Sequence, residues 1–245
     1  MTDSSIIIQE ILKCAWENTW QIFQPDNSWK DDKAKCSDIQ KRLSYFNPTH
    51  SDSPEHIDKV IKALSRGVSL TQAAIDWQNA AIGKKSTRKI DKLRGIQWRL
   101  VIAYGGFEIT AKALMNHFKR NTPSEVIENY IKKCNFPIYK PLGSPSISPN
   151  KKPNLEKWLS KEESAIADFL GVTAGDAKII ERWIVKSDSI GSWEEAVKLA
   201  KALRNATAHG FLQPTKVNQW GLKPGLSTLA DNLAEIMAAG LKKLT

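Results

Sequence analysis

Apolar residues recur along this chain at helical spacing almost from end to end. Ile8, Ile11, Leu12, Ala15 and Trp16 fall at i, i+3, i+4, i+7 and i+8, one face of an amphipathic helix. A polar stretch, "QPDNSWKDDKAKCSD", interrupts the pattern, and "YFNPTHSDSPEH" reads as a loop. Ser53-Pro54-Glu55 then marks a helix start with proline in the first turn. Further helices are expected at about 55–65, 69–82, 90–119 and 123–134. The longest carries a continuous apolar stripe of Leu93, Ile96, Leu100, Ala103, Phe107, Ala111 and Leu114. Gly105-Gly106 in its middle costs roughly 1 kcal/mol per glycine relative to alanine, which points to a kink or, more readily, to close approach by a neighbouring helix.

The stretch 136–154, "FPIYKPLGSPSISPNKKPN", holds five prolines and cannot be helix. Beyond it the periodicity resumes, with helices expected at about 160–170, 173–186, 192–208 and 226–243. Strand-like alternation is nearly absent. The fold class is therefore all-α, with residues 1–83 as an N-terminal helical region and 84–245 as a second helical bundle that contains the 136–154 connection.

Composition narrows the class. The chain has 245 residues, and 36 Lys+Arg against 26 Asp+Glu leave a net charge of +10. Such a surplus suits a polyanionic partner. Cys14, Cys36 and Cys134 are irregularly spaced and fit neither a disulfide framework nor a paired-cysteine zinc site. No stretch approaches the ~18 apolar residues of a membrane span, and the start does not resemble a signal peptide. A soluble, cytoplasmic protein without membrane association is expected.

Several stretches could carry chemistry. Residues 84–99 hold seven Lys/Arg against one Asp. Lys84, Lys85, Arg88, Lys89 and Lys92 could contact phosphates with Trp98 as a stacking platform, or the run could be a solvated face with Trp98 in the core. Residues 165–184 have the small-residue and glycine spacing of a helix-turn-helix DNA reader, or of two ordinary helices joined by a turn. Nucleotide-binding glycine loops, H-E-x-x-H and G-x-S-x-G are all missing, so no cofactor is implied. His50 and His56 lack partners at a recognisable metal-ligand spacing, and no metal is expected.

The segment "SWEEAVKLAKALRNATAHGF" begins as a well-formed helix, with Ser192 as N-cap, Glu194 and Glu195 in the first turn, and Val197, Ala200 and Leu203 facing inward. Its far end places Arg204 and His209 five positions apart. Cationic side chains suit a helix C-terminus, and Gly210 suits the position just beyond it. The string Arg204-Asn205-Ala206-Thr207-Ala208-His209-Gly210 also resembles the arginine–polar–x–x–x–histidine signature of HEPN-superfamily domains, small helical bundles often found as RNA nucleases. The resemblance covers about residues 90–243.

That resemblance implies an endoribonuclease, a toxin or defence effector, acting without metal. His209 would move a proton at cellular pH, Arg204 would face the charge that develops on phosphate, and Asn205 would orient one or the other. Thr207, within the string, and Tyr104, Glu108 and Lys112, a polar strip on the long helix, would border the cleft. The strip could equally be a solvent-facing Glu108–Lys112 ion pair. Five helical residues turn roughly 500°, so Arg204 and His209 leave one face unless the helix breaks at Gly210 or a second copy completes the site. A homodimer is expected, with RNA as substrate and an antitoxin or regulatory protein as further partner. One toxin branch carries a modifiable tyrosine two residues past the histidine; here that position is Phe211, which has no hydroxyl. The rival readings are a non-catalytic RNA-binding scaffold and a DNA-binding protein.

Overall fold

The computed structural model describes residues 3–23, 28–76, 89–134, 136, 138–147, 149–151, 153 and 174–245. Among them the protein is all-α, a helical bundle without strands. Its helices are α1 (Asp3–Ile22), α2 (Lys33–Leu43), α3 (Pro54–Asp76), α4 (Lys89–Leu114), α5 (Ser124–Cys134), α6 (Ala174–Ile184), α7 (Trp193–Ala208), α8 (Pro214–Gln219) and α9 (Lys223–Lys242). An isolated antiparallel bridge joins Leu142 to Ile190. The helix expected at 160–170 lies outside the described residues.

The chain divides into two units, each assembled from separated stretches. The first comprises residues 1–76, 105–137 and 233–245; the second comprises 77–104 and 138–232. In the first unit α1 packs on α3, and its Leu12, Ala15 and Thr19 are fully buried. Ser53 caps α3 as its sequence suggests, its hydroxyl accepting from the His56 N–H at 3.2 Å. Helix α3 then runs unbroken where two helices were expected, because Gly67 is a crossing point and not a stop. A Cβ on Gly67 would meet Thr110 Oγ1 and the Gly106 carbonyl, and one on Gly106 would meet Thr71 Oγ1 and the Gly67 carbonyl. The two glycines let the backbones of α3 and α4 touch. Gly105 has open space beside it.

Helix α4 ends at Leu114, short of the expected 119, because Asn116 adopts φ 52°. The Asn116 N–H donates to Ala113 O and the His117 N–H to Lys112 O, a complete Schellman stop with asparagine in the left-handed position. Sequence reading also passed over α2, where Asp32 accepts from the N–H groups of Ala34 and Lys35. Only Cys36, Ile39 and Leu43 are buried there, three apolar positions among charges.

In the second unit Leu93, Leu100 and Ala103 of the expected apolar stripe of α4 are below a tenth exposed, while Ile96 is only half-buried. Charged pairs bind helices together there. Arg99 donates to Asp231 Oδ1 at 2.5 Å and to Ser227 Oγ at 2.7 Å, and Arg182 donates to Glu195 Oε1 at 2.5 Å. Trp183 is buried beneath Gly225, and its indole N–H donates to Gly143 O at 3.0 Å.

Candidate functional site

Helix α7 presents the arginine–histidine string. Ser192 caps it, accepting from the Glu195 N–H, and Glu195 reaches back to accept from the Gly191 N–H at 2.9 Å. Burial raises the Glu195 carboxyl, yet that N–H and the Arg182 guanidinium prevail and hold it below its ordinary value. The inward residues Val197, Ala200 and Leu203 are buried, so the register of the whole helix is fixed by its apolar face.

Arg204 is half-buried at the edge of that face. Its Nη1 donates to Asn205 Oδ1 at 2.8 Å, and its guanidinium carbon lies 5.5 Å from the centroid of the buried Tyr104 ring. The Arg204 Nε is buried without a hydrogen-bond acceptor. Neither group holding this cation carries a formal negative charge. The contrast with Arg99 and Arg182 is direct, since each of those is matched by a carboxylate.

His209 is the C-cap residue, exposed, with its N–H still donating to Asn205 O at 3.1 Å. The helix breaks one residue later, at Gly210, whose φ of 76° lies in the left-handed region. The Gly210 N–H donates to Thr207 O at 3.0 Å and the Leu212 N–H to Ala206 O at 2.7 Å. Because the break follows His209, it does not swing the imidazole back toward Arg204. No hydrogen bond joins the two side chains within one chain.

The other expected residues separate. Asn205 is buried and holds Arg204, not His209. Thr207 is buried at 8% exposure, so it belongs to the packing beneath the turn and not to a cleft wall. Glu108 accepts from Thr122 Oγ1 at 2.6 Å, and Lys112 donates to Arg120 O at 3.3 Å, so the anticipated Glu108–Lys112 ion pair does not form. Both line a pocket of about 280 Å³ in the first unit, with Ile109, Phe118 and Arg120.

In the basic run, Lys84, Lys85, Arg88 and the side chain of Lys89 lie outside the described residues, while Lys92 is exposed on α4. Trp98 is 42% exposed, so it is not the core residue that one reading of the run required. The first part of the helix-turn-helix candidate also lies outside the described residues. In its second part, α6, Arg182 is engaged by Glu195, and Lys178 remains exposed.

Two features escaped sequence reading. Lys216 holds its ammonium 5.6 Å from the Phe211 ring centroid and 5.7 Å from that of Trp220, an ordered cation close in sequence to His209. Its spacing of four from Trp220 was the readable signal. His50 and His56 are hydrogen-bonded to each other, Nδ1 to Nε2, at 2.9 Å. His50 Nε2 also contacts Leu114 O at 2.8 Å, which makes Nε2 the protonated nitrogen of neutral His50. Among the described residues no group of three or more His, Cys, Asp and Glu is placed to hold a metal ion. None of the described helices is long and apolar enough to cross a membrane. In comparisons with known proteins, no family model, no curated protein and no solved structure matches this chain.

Proposed function

We propose that the protein is a metal-independent endoribonuclease of HEPN type, with Arg204 and His209 as its catalytic residues and Asn205 as the support of Arg204. One observation carries the reading: the half-buried Arg204 is held by an amide oxygen and an aromatic face, and among the described residues no carboxylate pairs with it. Arg99 and Arg182, which tie helices together, each take an acidic partner. A cation held only by neutral groups keeps its field for an incoming anion, and its planar fork matches a phosphate.

In this mechanism His209 takes the proton of a ribose 2′-hydroxyl. The 2′-oxygen attacks the adjacent phosphorus, and the bond from phosphorus to the 5′-oxygen breaks. That leaving oxygen is protonated by a second imidazole, which closes the proton balance and yields a 2′,3′-cyclic phosphate and a 5′-hydroxyl. Arg204 offsets the charge on the phosphoryl oxygens. Since no hydrogen bond joins Arg204 to His209 within one chain, a homodimer would supply the missing halves, and the exposed His209 is the residue available to do so. Lys92 and the neighbouring basic residues would hold the RNA backbone. The biological role proposed is that of a toxin or defence effector, restrained by an antitoxin or other regulatory protein.

The test is cleavage, in EDTA, of a defined RNA and of the same RNA bearing a single 2′-deoxy substitution at each cleaved position. Loss of cleavage only at the substituted position supports internal 2′-oxygen attack; unchanged cleavage there contradicts it.

A second reading has its own observation. The turn at Gly210 closes through backbone bonds from the Gly210 and Leu212 N–H groups to Thr207 O and Ala206 O, so the string also works as a helix stop. On that reading the protein is an RNA-binding scaffold, and it binds RNA without cutting it.

A further inference from the structure

We propose that Gln97 is a positioning residue for His209, an assignment that rests on the ribonuclease reading. Gln97 lies on α4 among apolar residues, with Leu93 one turn before it, and is only 2% exposed. A primary amide in such a place is costly unless its hydrogens are used. Its Nε2 donates to Leu212 O at 2.5 Å and lies 3.5 Å from Thr207 Oγ1. The two acceptors bracket His209, two residues before it and three after.

The geometry makes a strap. The Leu212 N–H returns to Ala206 O, so residues 206–212 close on themselves with His209 and Gly210 exposed at the apex. The Gln97 amide fastens both limbs of that turn from the buried side. Leu212 is 4% exposed and follows the helix stop, so its carbonyl has no ladder partner and takes its proton from Gln97. An apolar residue at position 97 would fill the space and leave that carbonyl unbonded. The turn would then loosen where the imidazole must be held, and misplacement by about 1 Å can cost a hundredfold in rate. Gln97 touches no substrate in this scheme. It acts through the turn.

The experiment compares wild type with Gln97→Met, which keeps length and apolar volume, and with Gln97→Glu, which puts an acceptor against Leu212 O. Steady-state cleavage of a defined RNA is measured beside amide hydrogen exchange at Gly210 and Leu212. The expected result is a kcat at least tenfold lower in both variants, KM within about twofold, and exchange at those two amides at least tenfold faster with α7 otherwise unchanged. A purely structural role would instead lower activity in step with the folded fraction and leave kcat per folded molecule intact. That outcome overturns the proposal, as does an active wild type whose Gln97→Met variant keeps kcat within twofold. Should Gln97→Met fail to fold, Gln97→Glu carries the comparison. If wild type itself does not cleave RNA, the ribonuclease reading fails and the positioning role falls with it; exchange at Gly210 and Leu212 still decides whether the strap exists.

Discussion

The guanidinium of Arg204 rests 5.5 Å from the centroid of the Tyr104 ring, and its fork is turned onto the Asn205 amide oxygen. A cation over an aromatic face is worth about 0.5–2 kcal/mol, more as water is excluded. Tyr104 is 4% exposed, so the lower end of that range does not apply. Tyr104→Phe keeps the ring and is expected to leave RNA cleavage within about twofold. Tyr104→Leu removes the platform, and kcat should fall by about tenfold, the kinetic equivalent of ~1.4 kcal/mol. Parallel turnover assays on the two variants check the difference.

Adjacent glycines on α4 are expected to respond in opposite directions. Gly106→Ala forces a methyl against Thr71 Oγ1 and the Gly67 carbonyl, backbone that cannot yield cheaply. It should destabilise the fold by at least about 1–3 kcal/mol. Gly105→Ala meets nothing within 4 Å and should stabilise by up to about 1 kcal/mol through helix propensity alone. Urea unfolding of the two single variants reads both signs.

The Arg99–Asp231 pair, with side chains only 10% and 14% exposed, should be strongly coupled. Burial pushes the Asp231 carboxyl up against the pull of Arg99. Removing either partner alone leaves a charge with no counter-ion in the interior, at a cost of about 3–5 kcal/mol. Replacing both, as Arg99→Met with Asp231→Leu, should recover most of that loss. A double-mutant cycle on unfolding free energies measures the coupling.

Protonation of the His50–His56 pair should make stability depend on pH in a defined window. Burial lowers both imidazoles below 6.5, against the help that the Leu114 carbonyl gives to charged His50. The folded state therefore binds fewer protons than the unfolded chain. Stability is fully present above 6.5 and is lost as pH falls below it, by at most about 1.4 kcal/mol per pH unit for each proton. This window lies above the ordinary carboxylate values of 3.8 and 4.5. Urea midpoints at several pH values should fall below 6.5 in wild type and flatten in the double variant His50→Gln with His56→Gln.

Much of the fold could be read from the chain because its helices declare themselves locally. The stripe from Leu93 to Leu114, the Ser53 and Ser192 caps and the Gly210 stop each depend on neighbours in sequence, and each takes its expected place. Helix α2 escaped because three buried positions among lysines and aspartates make a weak period. The joining of 55–65 with 69–82 escaped because Gly67 serves a contact with Gly106, and a distant partner leaves no local mark. The return of residues 233–245 to the first unit escaped for the same reason.

At the site, residue identity was legible and mutual geometry was not. The string named Arg204, Asn205 and His209, and of these the Arg204 guanidinium and the Asn205 amide are joined by a hydrogen bond. Thr207 was placed beside a cleft because sequence alone does not show that Gln97 lies beneath it. Gln97 itself left a trace: a polar residue four positions after Leu93, inside an apolar stripe. Such a residue is an amide with something to hold.

The central claim is that Arg204 and His209 cut RNA. Its most direct test incubates wild type, His209→Ala and Arg204→Ala with a mixed RNA pool in EDTA and maps the product ends. The expected result is cleavage by wild type alone, leaving 2′,3′-cyclic phosphate and 5′-hydroxyl ends. Three folded proteins that bind RNA equally and leave it uncut would contradict the claim.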